Sequence, residues 1–306
     1  MSAGGSPSTF FTAPPHWQWL IVLYFFVGGL AGGSYFLAVL IDFFGRPLDR
    51  PLARLGYYVA FPATVVSGVL LIADLGRPDR FWHMLVQSNT WLPMLKSYSP
   101  MSLGSWALLV FGVFSLIAFL AALADGGRLR WGWLRYVRPP GVAGSIVVVI
   151  GGILGFFIAG YTGVLLTVTN RPIWADTTLL GLNFVISSAS TSAALLILLG
   201  YRRWRAGFGV YALERFDAML LVLELVALVA LVASLGSVAR LWLSAWGATL
   251  LVGVVIVGIL VPLLLLWRPP RRLGARSAGL AAVLVLVGGF IFRVVIVLSS
   301  EGVRLA

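Results

Sequence analysis

The chain has 306 residues, of which 60% are hydrophobic and 10% charged, and its mean hydropathy is +1.00. About a quarter of the residues in a water-soluble domain are charged, so this composition excludes an ordinary soluble protein and indicates an integral membrane protein. The sequence has no cysteine, which excludes disulfides, thiolate zinc sites and iron–sulfur clusters held by its own side chains.

Eight apolar segments are long enough to cross a bilayer as helices, which takes about 20 mostly apolar residues. The apolar run from Phe216 to Trp267 exceeds one span, and Arg240 after a Gly-Ser pair indicates a turn within it. The sequence therefore predicts an all-α integral membrane protein, one domain over residues 1–306, with its helices in two groups of four that separate near residues 170–178. The predicted spans are residues 18–41, 53–74, 102–124, 142–167, 179–200, 217–239, 241–267 and 278–299.

The basic residues indicate the orientation of these spans. The net charge is +12, and most of the arginines lie in alternate connections, at residues 46–54, 128–138, 202–215 and 268–276. Connections rich in Lys and Arg stay in the cytoplasm, so both termini are predicted outside it. The positive charge is thereby accounted for by topology, and we expect no nucleic-acid partner.

The connection at residues 76–100 is the longest between predicted spans, and it is rich in aromatic and charged residues. Long connections without obvious secondary structure are often functional. We expect it to fold over the mouth of the helix bundle or to contact a partner.

Polar and aromatic side chains from the first, second, fourth and fifth predicted helices converge at one depth beside this connection. Apolar walls with a few placed polar groups suit a quinone, whose ring carbonyls accept hydrogen bonds while its tail stays in lipid. We predict such a pocket there, with Asp74 and His83 as candidates for proton transfer. The candidates for ligand contact are His16, Tyr24, Arg77, Tyr161, Asn170 and Asn183.

Each candidate also has a purely structural interpretation. Tyr24 and Tyr161 fit as interfacial anchors, and Asp74 and Arg77 fit as an ion pair. His83 fits equally well as a solvated side chain. The sequence leaves these alternatives open.

Two charged residues lie well inside predicted spans rather than at their ends, Glu224 in the sixth and Arg293 in the eighth. Intramembrane ionisable groups indicate function by default, so Glu224 is a candidate proton relay, or a protonated group hydrogen-bonded within the bundle. These residues support an alternative function as an ion or solute transporter, or as a proton-translocating subunit. A haem held by two histidines is not expected, because the sequence has two His and neither lies within a predicted span.

Several motifs together resemble the NrfD/PsrC family, the membrane subunits of polysulfide-reductase-type complexes. The resemblance is strongest over residues 17–174, and the motif that opens the long connection is its most specific part. The matching segments are Gly28-Gly29-Leu30-Ala31-Gly32-Gly33, Asp74-Leu75-Gly76-Arg77-Pro78, Phe81-Trp82-His83-Met84, Ser99-Pro100-Met101-Ser102, Gly104-Ser105-Trp106, Tyr161-Thr162-Gly163-Val164-Leu165-Leu166 and Asn170-Arg171-Pro172-Ile173-Trp174.

The resemblance implies an eight-helix, quinone-binding subunit in the bacterial cytoplasmic (inner) membrane, exchanging electrons with menaquinone and lacking haem. It implies two kinds of partner, an extracytoplasmic four-cluster ferredoxin-like iron–sulfur subunit and a molybdopterin or multihaem cytochrome catalytic subunit. By matching position, Tyr161 is the best quinone contact, and Tyr24 stands where relatives can have a polar residue such as His. We therefore expect a membrane anchor and quinone-binding subunit of a respiratory oxidoreductase.

Overall fold

The structure is a computed structural model that describes residues 17–139, 141–204, 208–267 and 274–301. Within these ranges it contains eight helices long and apolar enough to cross a membrane, which confirms the predicted all-α membrane fold. The helices are α1 (Trp19–Phe44), α2 (Arg50–Asp74), α3 (Pro100–Asp125), α4 (Val142–Thr167), α5 (Leu180–Trp204), α6 (Phe208–Ser234), α7 (Ala245–Trp267) and α8 (Gly274–Glu301).

The long apolar run that contains α6 and α7 is divided where the sequence predicts. After α6 the chain turns at Gly236, whose φ of 54° lies in the left-handed region that glycine adopts without strain. The turn continues as a 3-10 segment, Gly236–Trp242, which contains Arg240 and precedes α7. The sixth and seventh helices are therefore separate.

The helices form two groups of four, as the sequence predicts. In the first group, α1 and α3 each contact both α2 and α4, which closes a ring. In the second group, α5 and α7 each contact both α6 and α8. The groups are joined by residues 168–179 and pack together where α1 and α4 meet α5.

Glycines on α1 allow two neighbouring helices to approach its backbone. A Cβ atom on Gly32 would lie 2.2 Å from the carbonyl oxygen of Gly155 in α4, and one on Gly33 would lie 2.3 Å from Oγ of Ser192 in α5. No side chain fits at such distances, so these small residues are required for the close helix packing that membrane bundles use.

The two ends of the bundle differ in their connections. One end, here called the loop face, carries the starts of α1, α3, α5 and α7 and the long connection at residues 75–99. The other end, the opposite face, carries the connections between α1 and α2 and between α3 and α4. The arginine distribution predicts that the loop face lies outside the cytoplasm.

A buried ion cluster fastens the first group together at the opposite face. The guanidinium of Arg138 lies 2.6 Å from a carboxylate oxygen of Asp42 and 2.8 Å from one of Asp125. The Tyr57 hydroxyl donates a 2.9 Å hydrogen bond to Asp42. Burial alone would lower the pKa of Arg138, but its partners together, Asp42 foremost and then Tyr57 and Asp125, outweigh burial, so the pKa is raised and the side chain stays protonated. The cluster thereby links α1, α2, α3 and the connection that follows α3.

Candidate functional site

A cavity of about 510 Å³ lies within the first group, on the side of the loop face. Residues of α1, α2, α3 and α4 form its walls, and four residues of the long connection and its start complete its lining, namely Leu75, Phe81, Met84 and Leu85. The walls are mainly aliphatic and aromatic. Volume and lining are both typical of a site for an apolar small molecule.

Five polar side chains line the cavity, and most lie near the loop face. Asp74 ends α2, while Tyr24 and Tyr161 lie within about two turns of the loop-face ends of α1 and α4. Thr64 lies deeper, and its hydroxyl donates to a carbonyl of its own helix. Ser105 of α3 likewise donates within its own helix. The hydrogen-bonding groups that remain for a ligand therefore concentrate at the end of the cavity nearest the loop face.

The Tyr161 side chain is held in place by α3. Its hydroxyl donates a hydrogen bond to the carbonyl of Pro100, the first residue of α3. The ring passes over Gly104, where a Cβ atom would lie 2.2 Å from the phenol oxygen. On its other side the ring stacks with Phe157, with 5.5 Å between centroids. The hydroxyl hydrogen is donated to Pro100, so the phenol oxygen can take part in further hydrogen bonds only as an acceptor, and the backbone of Gly104 lies close to it.

Tyr24 lies opposite, on α1. It is 3% exposed, and its ring lies beside Gly28, where a Cβ atom would lie 3.5 Å from the ring edge. The phenols of Tyr24 and Tyr161 are close enough to interact electrostatically. A phenol both donates and accepts hydrogen bonds, so two of them beside one apolar space form a suitable contact for a ring that carries two oxygens.

Two tryptophans fix the corner of the cavity where the helix groups meet. Trp17 lines the cavity and stacks on Trp174 with 5.4 Å between ring centroids. The Trp174 indole donates a 2.7 Å hydrogen bond to the carbonyl of Ile296 in α8. The start of α1 is thereby anchored to the second group.

The long connection folds over the cavity, which confirms one of the two expectations for it. Its 3-10 segment Pro78–Met84 brings apolar side chains onto the cavity. Beyond it the chain doubles back, with a single bridge between Val86 and Pro93. The indole of Trp91 stacks on Trp82 at 5.4 Å and an interplanar angle of 6°. The connection is thus an ordered cover.

The structure brings three of the predicted site residues together, Tyr24, Asp74 and Tyr161. His83 stacks on Trp82 with ring centroids 3.8 Å apart and is half-buried in the cover, beside the cavity lining rather than in it. Arg77 precedes the 3-10 segment and is exposed. His16 lies outside the described residues.

The expected wall from α5 is replaced by α3, which is a correction to the predicted pocket. The amide nitrogen of Asn183 donates to the carbonyls of Leu179 and Ala227, so this side chain is directed toward α6 and not toward the cavity. Asn170 lies in the connection after α4, where it is half-buried outside the cavity lining. Depth along a helix fixes how far a residue lies from the surface, but it leaves open which neighbour the side chain faces.

Sequence reasoning missed the cavity residues of α3 and the middle of α2. Gly104 and Gly112 lie on one face of α3, and Thr64 and Gly68 lie one turn apart on α2. The available signal was the spacing of these small residues along one helix face, four residues on α2 and eight residues on α3. Small residues at such spacing usually mark close helix packing, so the pattern alone does not distinguish a contact from a cavity.

Glu224 lies in a separate buried network in the second group. Its carboxylate accepts a hydrogen bond from Ser187 and interacts electrostatically with Arg293. Arg293 is fully buried and donates to the hydroxyls of Ser187 at 2.8 Å and Ser188 at 3.0 Å. Its guanidinium also lies 5.4 Å from the ring centroid of Phe184. Glu224 and Arg293 therefore interact through Ser187, a link that depth alone left undecided.

Further carboxylates follow on α6 toward the opposite face. Asp217 is 1% exposed and accepts a 2.7 Å hydrogen bond from Ser190 of α5. Glu214, nearer the start of α6, accepts a hydrogen bond from Tyr201. Together with Glu224 they form a series of acidic side chains that runs from near the opposite face to the interior of the second group.

Comparison with protein families matches residues 7–303 to the family described as "Polysulphide reductase, NrfD". A polysulfide reductase chain of Wolinella succinogenes is 29% identical over 93% of this chain and 94% of its own length. Protein NrfD of Escherichia coli is 25% identical over 89% of each chain. A selenate reductase subunit of Mesobacillus selenatarsenatis is 27% identical over 35% of this chain and 22% of its own length.

The family match spans nearly the whole chain, and it agrees with eight spanning helices and with the motifs around the cavity. The chain belongs to the NrfD family of multi-pass membrane subunits of oxidoreductases.

Proposed function

We propose that the chain is the membrane anchor and quinol-binding subunit of a respiratory oxidoreductase, and that its cavity accommodates the ring of a menaquinone. The observation that carries this proposal is the arrangement of the cavity. Tyr24, Asp74 and Tyr161 lie at its loop-face end, and the remaining walls are mainly apolar and lie within the membrane-spanning helices. An amphipathic ring on a hydrocarbon chain matches that division.

The residues present fit a quinol in particular. The phenol oxygen of Tyr161, already donating to Pro100, is placed to accept a hydrogen bond from a ring hydroxyl. Asp74 lies on the cavity lining at the end of α2, from which a proton passes to water along the long connection. His83, in the cover beside the cavity lining, is a further candidate proton acceptor. A bound quinol would supply electrons and protons together.

The partners in this proposal lie above the loop face. The relatives are named as parts of reductases, which supports assembly into a complex with catalytic and other subunits. Because the sequence has no cysteine to hold an iron–sulfur cluster, the proposal places the electron acceptor on another chain. We propose an extracytoplasmic four-cluster ferredoxin-like iron–sulfur subunit, a molybdopterin or multihaem cytochrome catalytic subunit, and a bacterial cytoplasmic membrane.

The variant Tyr161→Phe tests the proposal in the assembled complex. Loss of one hydrogen bond to the ligand is expected to lower quinol turnover about tenfold, while the subunits still assemble. Tyr58→Phe is the matched control, since the Tyr58 hydroxyl also bonds a carbonyl of α3, at 2.8 Å from Ala122, but away from the cavity lining. Wild-type turnover in Tyr161→Phe would refute the function assigned to this phenol.

A second candidate function is proton translocation through the second group, which the buried network around Glu224 favours. Burying an ionisable side chain at that depth costs free energy, which is why such a residue indicates a function, and acidic residues continue from it toward the opposite face. We expect Glu224→Gln to lower the number of protons moved per electron in proteoliposomes containing the complex. An unchanged number of protons per electron would show that the network around Glu224 only stabilises the fold. Solute flux through the protein without quinone or partner subunits would instead favour a transporter.

A further inference from the structure

The walls of the cavity differ sharply in exposure. The lining residues of α1 and α4 are closed off, with Tyr24 at 3%, Phe25 at 0% and Tyr161 at 7% exposed. Several lining residues of α2 and α3 are about half exposed, with Val65 at 48% and Val113 at 51%. The cavity is therefore enclosed on the side of the second group and opens sideways between α2 and α3.

On the side of the opposite face, the opening is bounded by an aromatic contact between α2 and α3. Toward the opposite face the two helices pack through Phe119 of α3, whose ring centroid lies 5.3 Å from that of Phe61 and 5.9 Å from that of Tyr58. Phe61 also lines the cavity, so this aromatic contact forms the floor of the opening. Above it, toward the loop face, the lining contains glycine on both helices.

These glycines are not packed as the glycines of α1 are. A Cβ atom on Gly68 would meet nothing within 4 Å, and one on Gly112 would meet only the methyl of Thr64, at 3.8 Å. On α1, in contrast, a Cβ on Gly32 would lie 2.2 Å from a backbone oxygen. Close packing therefore does not require glycine at positions 68 and 112. What their missing side chains provide is open space in the cavity wall.

The chemistry of the opening identifies the kind of group that fits it. The half-exposed lining residues there are aliphatic, and they lie in the spanning part of both helices, where the surroundings are hydrocarbon. The polar end of the cavity is at the loop face, beside Asp74. A ligand with its ring at that end can pass a hydrocarbon chain through the opening into the bilayer without bringing it into water.

We propose that the seam between α2 and α3, from Phe61 to the loop face, is the portal for the polyisoprenoid chain of the quinol, and that Gly68 and Gly112 set its width. The inference rests on the proposed function, because it assigns a position to the hydrocarbon tail of the same ligand. A phospholipid acyl chain shares the hydrocarbon chemistry of that tail, so the experiment has to separate the two.

The test compares two ligands on the full-length protein in lipid nanodiscs. One is a menaquinone-type naphthoquinone with an isoprenoid chain, and the other is the methylnaphthoquinone ring alone. Binding is followed by quenching of tryptophan fluorescence, for which Trp17 in the cavity lining is well placed. The variants are Gly68→Leu and Gly112→Leu. The control is Gly279→Leu, because a Cβ on Gly279 of α8 also meets nothing within 4 Å and this residue is not part of the cavity lining.

Each portal variant is expected to lower the preference for the long-chain ligand over the ring by about tenfold, since every buried methylene contributes to binding. Gly279→Leu is expected to leave that preference at the wild-type value. An unchanged preference in both portal variants, with the wild type binding both ligands, would overturn the portal and leave the proposed function standing. Wild-type protein that binds neither ligand would remove the proposed function itself.

The two sources of hydrocarbon are separated by measuring the phospholipid retained by the purified protein. Under the proposal, the portal variants lose preference for the long-chain ligand whatever lipid they retain. If Gly112→Leu instead expels a bound phospholipid and the ligand preference stays at the wild-type value, the seam holds an acyl chain and the proposal is wrong.

Discussion

The two four-helix groups have the same helix count and a closed ring of contacts, but they use their interiors differently. The first group leaves about 510 Å³ open beneath the long connection and keeps its buried ion cluster, around Arg138, at the opposite face. The second group buries Arg293 and Glu224 among hydroxyl groups in its interior. The first is suited to an apolar ligand and the second to a fixed charge or a mobile proton.

The contrast follows from which residues α1 and α5 present to their neighbours. α1 presents Tyr24 and Gly28 to the first group, which leaves apolar space. α5 presents Ser187 and Ser188 to α6 and α8. These two hydroxyl groups are the hydrogen-bond partners that the buried guanidinium of Arg293 needs. Removing a charge partner should therefore damage the second group severely, whereas changes at the cavity should affect ligand binding more than folding.

The largest effect is expected for Arg293→Leu. The substitution leaves Glu224 buried without its counter-ion, which should destabilise the protein by about 3–5 kcal/mol. The measurement is thermal unfolding in detergent. The double variant Arg293→Leu/Glu224→Leu is the control, since removing both charges should restore much of the loss. A single variant as stable as wild type would show that the second group does not depend on this pair.

An intermediate effect is expected for Gly104→Ala in the first group. The new methyl would displace the Tyr161 ring, which should cost about 1–3 kcal/mol of stability and also weaken binding of a naphthoquinone ring. Gly112→Ala is the matched substitution, because its methyl meets only Thr64 at 3.8 Å and should leave stability within about 0.5 kcal/mol. Equal losses of stability in the two variants would contradict the difference in packing between these positions.

The smallest effect is expected for Asn183→Leu. This variant tests whether Asn183 belongs to the second group or to the ligand cavity of the first. Its amide bonds Leu179 and Ala227 within the second group, so stability should change by about 1 kcal/mol and naphthoquinone affinity should not change. Fluorescence quenching and thermal unfolding measure the two quantities on the same sample. A large loss of naphthoquinone affinity would show that Asn183 contacts the ligand after all.

Hydropathy predicted the eight spans because burial in lipid constrains every residue of a spanning helix. Depth counting also placed Tyr24, Asp74 and Tyr161 at one end of the bundle, and these three do share the cavity. It failed for Asn183, because the direction of a side chain around a helix depends on which neighbours pack there. The α3 wall carried little polar signal, because Ser105 is its one polar lining residue and bonds within its own helix, while Gly104 makes room for the Tyr161 ring and Gly112 leaves open space.

The most direct test of the account is photolabelling of the assembled complex with an azido-naphthoquinone that carries an isoprenoid chain, followed by mapping of the labelled peptides. The account predicts label on the segments of α1, α2, α3 and α4 that line the cavity, and loss of that label when unmodified menaquinone competes. Specific labelling confined to α5–α8, or no label that menaquinone displaces, would contradict the claim that the first group binds the quinol.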